Sequence, residues 1–230
     1  MNYMYAGYGF VILAAIISFA AQMYVQSSYA KYSKVDTLEN ISGADVARRI
    51  LNSKGISDVE VVQSTGGTLS DHYDPTKKIV ALSPKVYSDT TIASVSVAAH
   101  EVGHAIQHAE GYAFIALRNK VLPFAIVASK FSMIPIMLGM FMGFNKQLMM
   151  VGIVMLGVIA VFQLVTLPVE FDASNRAIKI LRNDNILDAG ELSGSKTMLT
   201  AAALTYVAAL LSTILNIMRY IALSNSRNND

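Results

Sequence analysis

The chain has 230 residues, of which 53% are hydrophobic and only 15% charged, against about 25% charged in an average soluble domain, so the composition points to a membrane protein. A net charge of +2 gives no basis for a nucleic-acid partner. With no cysteine, disulfide frameworks and thiolate metal sites are excluded, and any metal must be held by His, Asp or Glu, the histidines being His72, His100, His104 and His108.

In chain order, Tyr8 to Val25 carries no charge and, at 1.5 Å per residue, nearly crosses a bilayer core of about 30 Å. No positive residue precedes it, which favours an uncleaved anchor over a signal peptide. Residues 1–25 are therefore read as an N-terminal transmembrane anchor. Residues 26–120 are mixed and polar and are expected to form a cytoplasmic α+β region. Within it, Gly43 to Lys54 places Val46, Ile50 and Leu51 at helical spacing, with Gly55 as the stop. Val59–Ser64, Thr68–Asp74 and Lys78–Ser83, punctuated by Gly66-Gly67 and Pro75-Thr76, read as short strands of a small sheet. Thr90–His108 reads as a helix. Residues 121–168 are expected to form a transmembrane hairpin, with apolar stretches at Val121–Phe144 and Leu148–Leu167 and with Lys130 snorkelling to the headgroups. Residues 169–198 form a polar cytoplasmic segment, and 199–230 a final span and tail. The fold class expected is mainly α: a polytopic membrane protein with about four transmembrane helices and a small α+β unit. Lys and Arg crowd the two large loops, whereas Lys146 is the only one between the second and third spans. The positive-inside rule places both large loops in the cytoplasm, although Arg219 and Arg227 in the tail count mildly against it. The expected location is the plasma membrane.

The motif that carries chemistry is His100-Glu101-Val102-Gly103-His104, a match to H-E-x-x-H. On a helix, positions i and i+4 share a face, so two imidazoles one turn apart reach the same ion. The Glu between them suits a general base acting on water. A catalytic zinc site takes three protein ligands and keeps one position open. His108 lies eight residues from His100, about 12 Å along a helix, and cannot join the same ion. A carboxylate must complete the set. Glu170, at the end of the third apolar stretch, is costly at a membrane boundary unless paired or ligating. Two predicted crossings separate it from His100, so both emerge on one side.

Other residues admit two readings. His72, in SDHYDP, is either a turn residue satisfied locally or, with Tyr73, a donor to the oxyanion or part of an edge strand that pairs with an extended peptide. Asp172 reads as a solvated interfacial charge or a helper at the site. Arg176 reads as a positive-inside anchor or a stabiliser of the tetrahedral intermediate. His108 reads as a helix-surface residue.

HEVGHAIQH, LPVEFDASNRA and SDHYDP together resemble the YugP-like family of bacterial membrane zinc metallopeptidases, over nearly the whole chain. They are also similar, more distantly, to the HtpX and CAAX-prenyl-protease group, whose third ligand is the Glu of an E-x-x-A-D pattern. That resemblance implies Glu170 as the third ligand of a Zn2+ ion. The group's Asp, which supports a metal-binding His, falls on Ser174 here. Asp172 or Asn175 is then the alternative for that role. The resemblance implies that the small α+β unit is a zincin-type catalytic unit, and that the activity is zinc-dependent hydrolysis of a polypeptide substrate at the lipid bilayer of the bacterial plasma membrane. The sequence leaves open an oligomer or a regulatory membrane partner. The runner-up is a zinc-binding membrane scaffold or chaperone without turnover. A metal transporter is disfavoured, because the spans offer little beyond Gln163 and Thr166 as polar ligands.

Overall fold

A computed structural model describes residues 2–67 and 70–225, with side chains from Tyr8 onward. Thr68 and Leu69 of one expected strand, and Arg227 of the tail, lie outside the described residues. The chain runs α1 (Asn2–Tyr32), α2 (Gly43–Ser53), β1 (Glu60–Gln63), β2 (His72–Asp74), β3 (Ile79–Leu82), α3 (Pro84–Ser88), α4 (Ile92–Ala109), α5 (Ala113–Phe131), α6 (Met133–Phe141), α7 (Lys146–Asn183) and α8 (Ala189–Asn225). Among the described residues, four stretches are long and apolar enough to cross a membrane: Tyr8–Tyr32, Ala113–Phe141, Lys146–Asn183 and Ala189–Asn225. This is the mainly helical membrane architecture expected, with a small α+β part.

The helices are longer than the apolar stretches that signal them. Hydropathy marks only the part that can face lipid, whereas the helix itself runs on, in α7 even through Pro168, where the ladder lacks one N–H donor. The polar residues after Leu167 therefore extend α7 to Asn183. The second stretch likewise begins at Ala113, ahead of Val121.

The chain folds into two compact units. One comprises 1–22, 116–167 and 204–230, and is built from apolar helix segments. Ser18 and Ser212 hydrogen-bond across it at 2.8 Å, and Ile136, Met149, Ile153 and Tyr220 form its buried cluster. Large apolar side chains such as Phe19, Phe124 and Val154 are exposed on it, as suits lipid contact.

The other unit comprises 23–115 and 168–203. Its sheet has the order β1-β3-β2, with β1 parallel and β2 antiparallel to β3. Strand β3 is central and supplies buried Val80, Ala81 and Leu82, while β2 is an edge. Helix α2 starts at Ser42, whose hydroxyl accepts from the Asp45 N–H. It ends in a Schellman motif: Gly55 takes φ 67°, and Ile56 N–H donates to the Leu51 carbonyl at 3.0 Å. The α2 face carrying Val46, Ala47, Ile50 and Leu51 joins Val95, Ala98, Ala99 and Val102 of α4 in one core.

Helix α4 is capped by Thr91, which accepts from the Ser94 N–H at 3.2 Å. It is buried over most of its circumference, so it reads as apolar all round. Its polar interior residues are satisfied in place: Ser96 donates to Ile92 O at 2.6 Å and bonds Ser195 Oγ at 2.7 Å.

Candidate metal centre

Two helical stripes build the site. On α4, His100, Gly103, His104 and Gln107 stand at i, i+3, i+4 and i+7. On α7, Glu170, Ala173, Ser174 and Ala177 repeat that spacing, and Glu170, Ala173 and Ala177 are buried. The stripes meet at their smallest residues. A Cβ added at Gly103 would stand 2.8 Å from the Ala173 carbonyl oxygen. Backbone thus approaches backbone, and the longer side chains on either side of that contact are brought together.

The result is a cluster of His100, His104 and Glu170 whose candidate ligand atoms all lie within 4.8 Å of one another. Glu170 Oε2 is 3.4 Å from His100 Nε2 and 3.7 Å from His104 Nε2. The two imidazole rings are edge to face, with centroids 4.8 Å apart. Tetrahedral ligands at Zn–N and Zn–O bond lengths of about 2.0–2.1 Å are separated from one another by about 3.3 Å. The two spacings from Glu170 to the imidazoles are close to that edge length, and the donor set is the His and carboxylate chemistry that zinc accepts, so the residues fit the ion. A carboxylate only 4% exposed on an otherwise apolar stretch is costly unless paired or ligating, and the two histidines are its partners. Burial opposes the charged form of His104. Hydrogen bonding to Glu170 and the nearby charge of Glu101 outweigh it and raise the His104 pKa.

Residues 8–225 match the family model described as "Putative neutral zinc metallopeptidase". The chain belongs to this zinc metallopeptidase family. A curated relative from Bacillus subtilis (strain 168), "Putative membrane protease YugP", is 44% identical over 213 residues, covering 92% of this chain and 94% of the relative. No solved structure matches the chain.

The remaining candidate residues of this metallopeptidase-family chain fall into different places. Glu101 is buried on α4 next to His100. Ser174 Oγ lies 3.2 Å from His100 Nδ1, so the position that carries the group's Asp touches a histidine of the cluster here too. Asp172 does not bond His100. It accepts from Arg176 Nε at 2.5 Å and from Gln107 Nε2 at 2.8 Å. Asn175 is exposed. Arg176 is engaged by Asp172 and by Glu110, at 2.6 Å from its Nη1, and lies over the Tyr112 ring. His72 is exposed, its Nδ1 2.8 Å from the Ser70 carbonyl oxygen, and it is not part of the cluster. His108 pairs through Nδ1 with the Tyr73 hydroxyl at 3.0 Å. Burial, with Asp58 and Asp74 nearby, raises the Tyr73 pKa.

Sequence reasoning passed over Gln107. It is fully buried, and its Oε1 lies 3.0 Å from His104 Nδ1. Its signal was its position, one turn after His104 on the same helix face, as a polar residue in an apolar run.

Proposed function

We propose that this chain is an integral membrane zinc-dependent endopeptidase that hydrolyses peptide bonds at the cytoplasmic side of the bacterial plasma membrane. The observation that supports this most is the convergence of His100, His104 and Glu170 in one cluster, half-buried at the histidines and buried at Glu170, with Glu101 adjacent on the same helix. A zinc ion bound there would supply Lewis acidity and lower the pKa of its water toward about 7.

The chain's own residues supply the rest. His100 and His104 would hold the ion, and Glu170 would add the single negative charge of the ligand set. Glu101 is the general base. It takes a proton from the attacking water while the water oxygen bonds to the scissile carbonyl carbon. As the C–N bond breaks, Glu101 passes that proton to the leaving nitrogen, giving a carboxylic acid and an amine, which separate at neutral pH as carboxylate and ammonium. The helix face between Gly103 and Ala173 is too tight to admit water, which keeps the hydrogen-bonded partners of the histidines in place. At the sheet edge, β2 offers backbone groups to which an extended polypeptide can add as a further strand. A salt-bridged Arg176 supports the ligand-bearing turn of α7 through Asp172.

The test is metal content of the detergent-purified protein, wild type beside Glu170→Ala, with cleavage of a peptide library. About one zinc per chain, lost in the variant, together with turnover by wild type, is the expected result. Zinc retained in Glu170→Ala would remove Glu170 from the ligand set. Zinc without turnover in wild type would favour a zinc-binding scaffold.

A further inference from the structure

Gln107 is one of the largest fully buried side chains of the protein, and every polar atom of it has a partner. Its Nε2 lies 2.9 Å from the Val169 carbonyl oxygen and 2.8 Å from Asp172 Oδ2. A backbone carbonyl only accepts, and so does a carboxylate oxygen that already accepts from an arginine. Asp172 is such a carboxylate, with Arg176 Nε 2.5 Å from the same oxygen. Two acceptors on one side of the amide require its NH2 group there, so the amide cannot be flipped. The atom facing His104 Nδ1 at 3.0 Å is therefore the amide oxygen, which also only accepts. His104 Nδ1 must carry the proton. In the neutral ring the lone pair is then on Nε2, the atom 3.7 Å from Glu170 Oε2.

We infer that Gln107 is a positioning residue that fixes the tautomer and ring orientation of His104 for metal binding, and that the Asp172–Arg176–Glu110 chain holds Gln107 in that orientation. The inference rests on the reading of His100, His104 and Glu170 as the metal ligands. The two histidines are supported unequally. Ser174, at His100, has a hydroxyl that can donate or accept and so leaves that ring's tautomer free. Gln107 leaves His104 one choice. The arrangement places the negative charge one residue further out than a direct carboxylate–histidine pair, with a neutral amide as the relay between Asp172 and His104. Partners of this kind orient a ligand and tune its basicity, and their loss typically weakens metal binding about 10- to 100-fold.

The experiment uses the full-length protein in detergent. Zinc affinity is read by competition with a chromophoric chelator, for wild type, Gln107→Leu, Gln107→Met and His104→Ala. Nitrogen-15 NMR of the histidine-labelled protein, which has four histidines, reads the His104 tautomer. Gln107→Leu should bind zinc about 10- to 100-fold more weakly and lose the single-tautomer signal of His104. Gln107→Met keeps the side-chain bulk between α4 and α7 but offers no amide oxygen to His104 Nδ1, so it should bind zinc as weakly as Gln107→Leu. A role confined to packing α4 on α7 predicts wild-type affinity in Gln107→Met, and that result overturns the proposal. Unchanged zinc affinity in Gln107→Leu overturns it too. So does weakened affinity with His104 still held in one tautomer. His104→Ala separates the two layers: if it still binds zinc like wild type, the metal-centre reading itself is wrong. If it loses zinc while Gln107→Leu does not, only the role of Gln107 falls.

Discussion

At the scale of single residues, Glu101 and His104 bear the sharpest consequences. Glu101 contributes no ligand atom to the three-residue cluster, so its change should separate binding from chemistry. Glu101→Gln should keep one zinc per chain and lose about 10²- to 10⁴-fold in turnover, measured with a fluorogenic peptide beside elemental analysis. A variant that still turns over at the wild-type rate would remove Glu101 as the base. For His104 the sign of the pH effect differs between the two states of the site. Its pKa in the folded, metal-free protein is raised above the ordinary value of 6.5, because Glu170 and Glu101 outweigh burial. A raised pKa stabilises the folded state fully below the unfolded value, and that contribution is lost as pH rises through the folded value. The zinc-free protein should therefore melt lower as pH is taken upward through that range. Zinc needs the neutral ring, so zinc affinity should move the other way and fall as pH drops. Thermal melts and chelator competition across the same pH series check both halves.

At the scale of elements, the site depends on how closely α4 and α7 approach. Helix propensity alone favours Ala over Gly in mid-helix by about 1 kcal/mol. At Gly103 the added methyl would meet the Ala173 carbonyl oxygen at 2.8 Å, backbone that cannot swing aside. Overpacking of this kind costs about 1–3 kcal/mol, so the clash outweighs the propensity. Gly103→Ala should lower thermal stability and weaken zinc binding together, because spreading the helices moves both histidines away from Glu170. Gly55 provides the contrast. It has φ 67° at the end of α2, with nothing within 4 Å of an added Cβ. Gly55→Ala should cost about 1 kcal/mol through backbone strain alone and leave zinc affinity unchanged. Circular-dichroism melts with metal titration distinguish the two.

At the scale of the whole molecule, the four apolar helices and the uneven spread of Lys and Arg define an orientation that can be tested directly. The chain has no native cysteine, so single introduced thiols report without background. Lys54→Cys, in the exposed turn after α2, should be shielded from a membrane-impermeant maleimide in intact cells and labelled after permeabilisation. Met142→Cys, 62% exposed between the second and third stretches, should be labelled in intact cells. The reverse pattern would place the cluster on the outer side.

Chemistry that depends on short spacings was legible in the sequence. His100 and His104 are one helical turn apart in any helix, and an uncharged stretch of sufficient length crosses a bilayer whatever its neighbours. Gly55 likewise announced the end of α2, because the positive φ it needs is a local property. Contact between distant segments had to await the packed fold. That Ser174 rather than Asp172 touches His100 follows from the rotation of α7 against α4, which the Gly103–Ala173 contact sets. His72 looked equivalent to the other histidines in a count of ligands, but its place on an edge strand keeps it out of the cluster. Gln107 was readable as a polar residue on the His104 face, yet its partners Val169 and Asp172 lie more than sixty residues away. Periodicity gives the face of a helix; only packing of the two helices gives the atoms that meet across it.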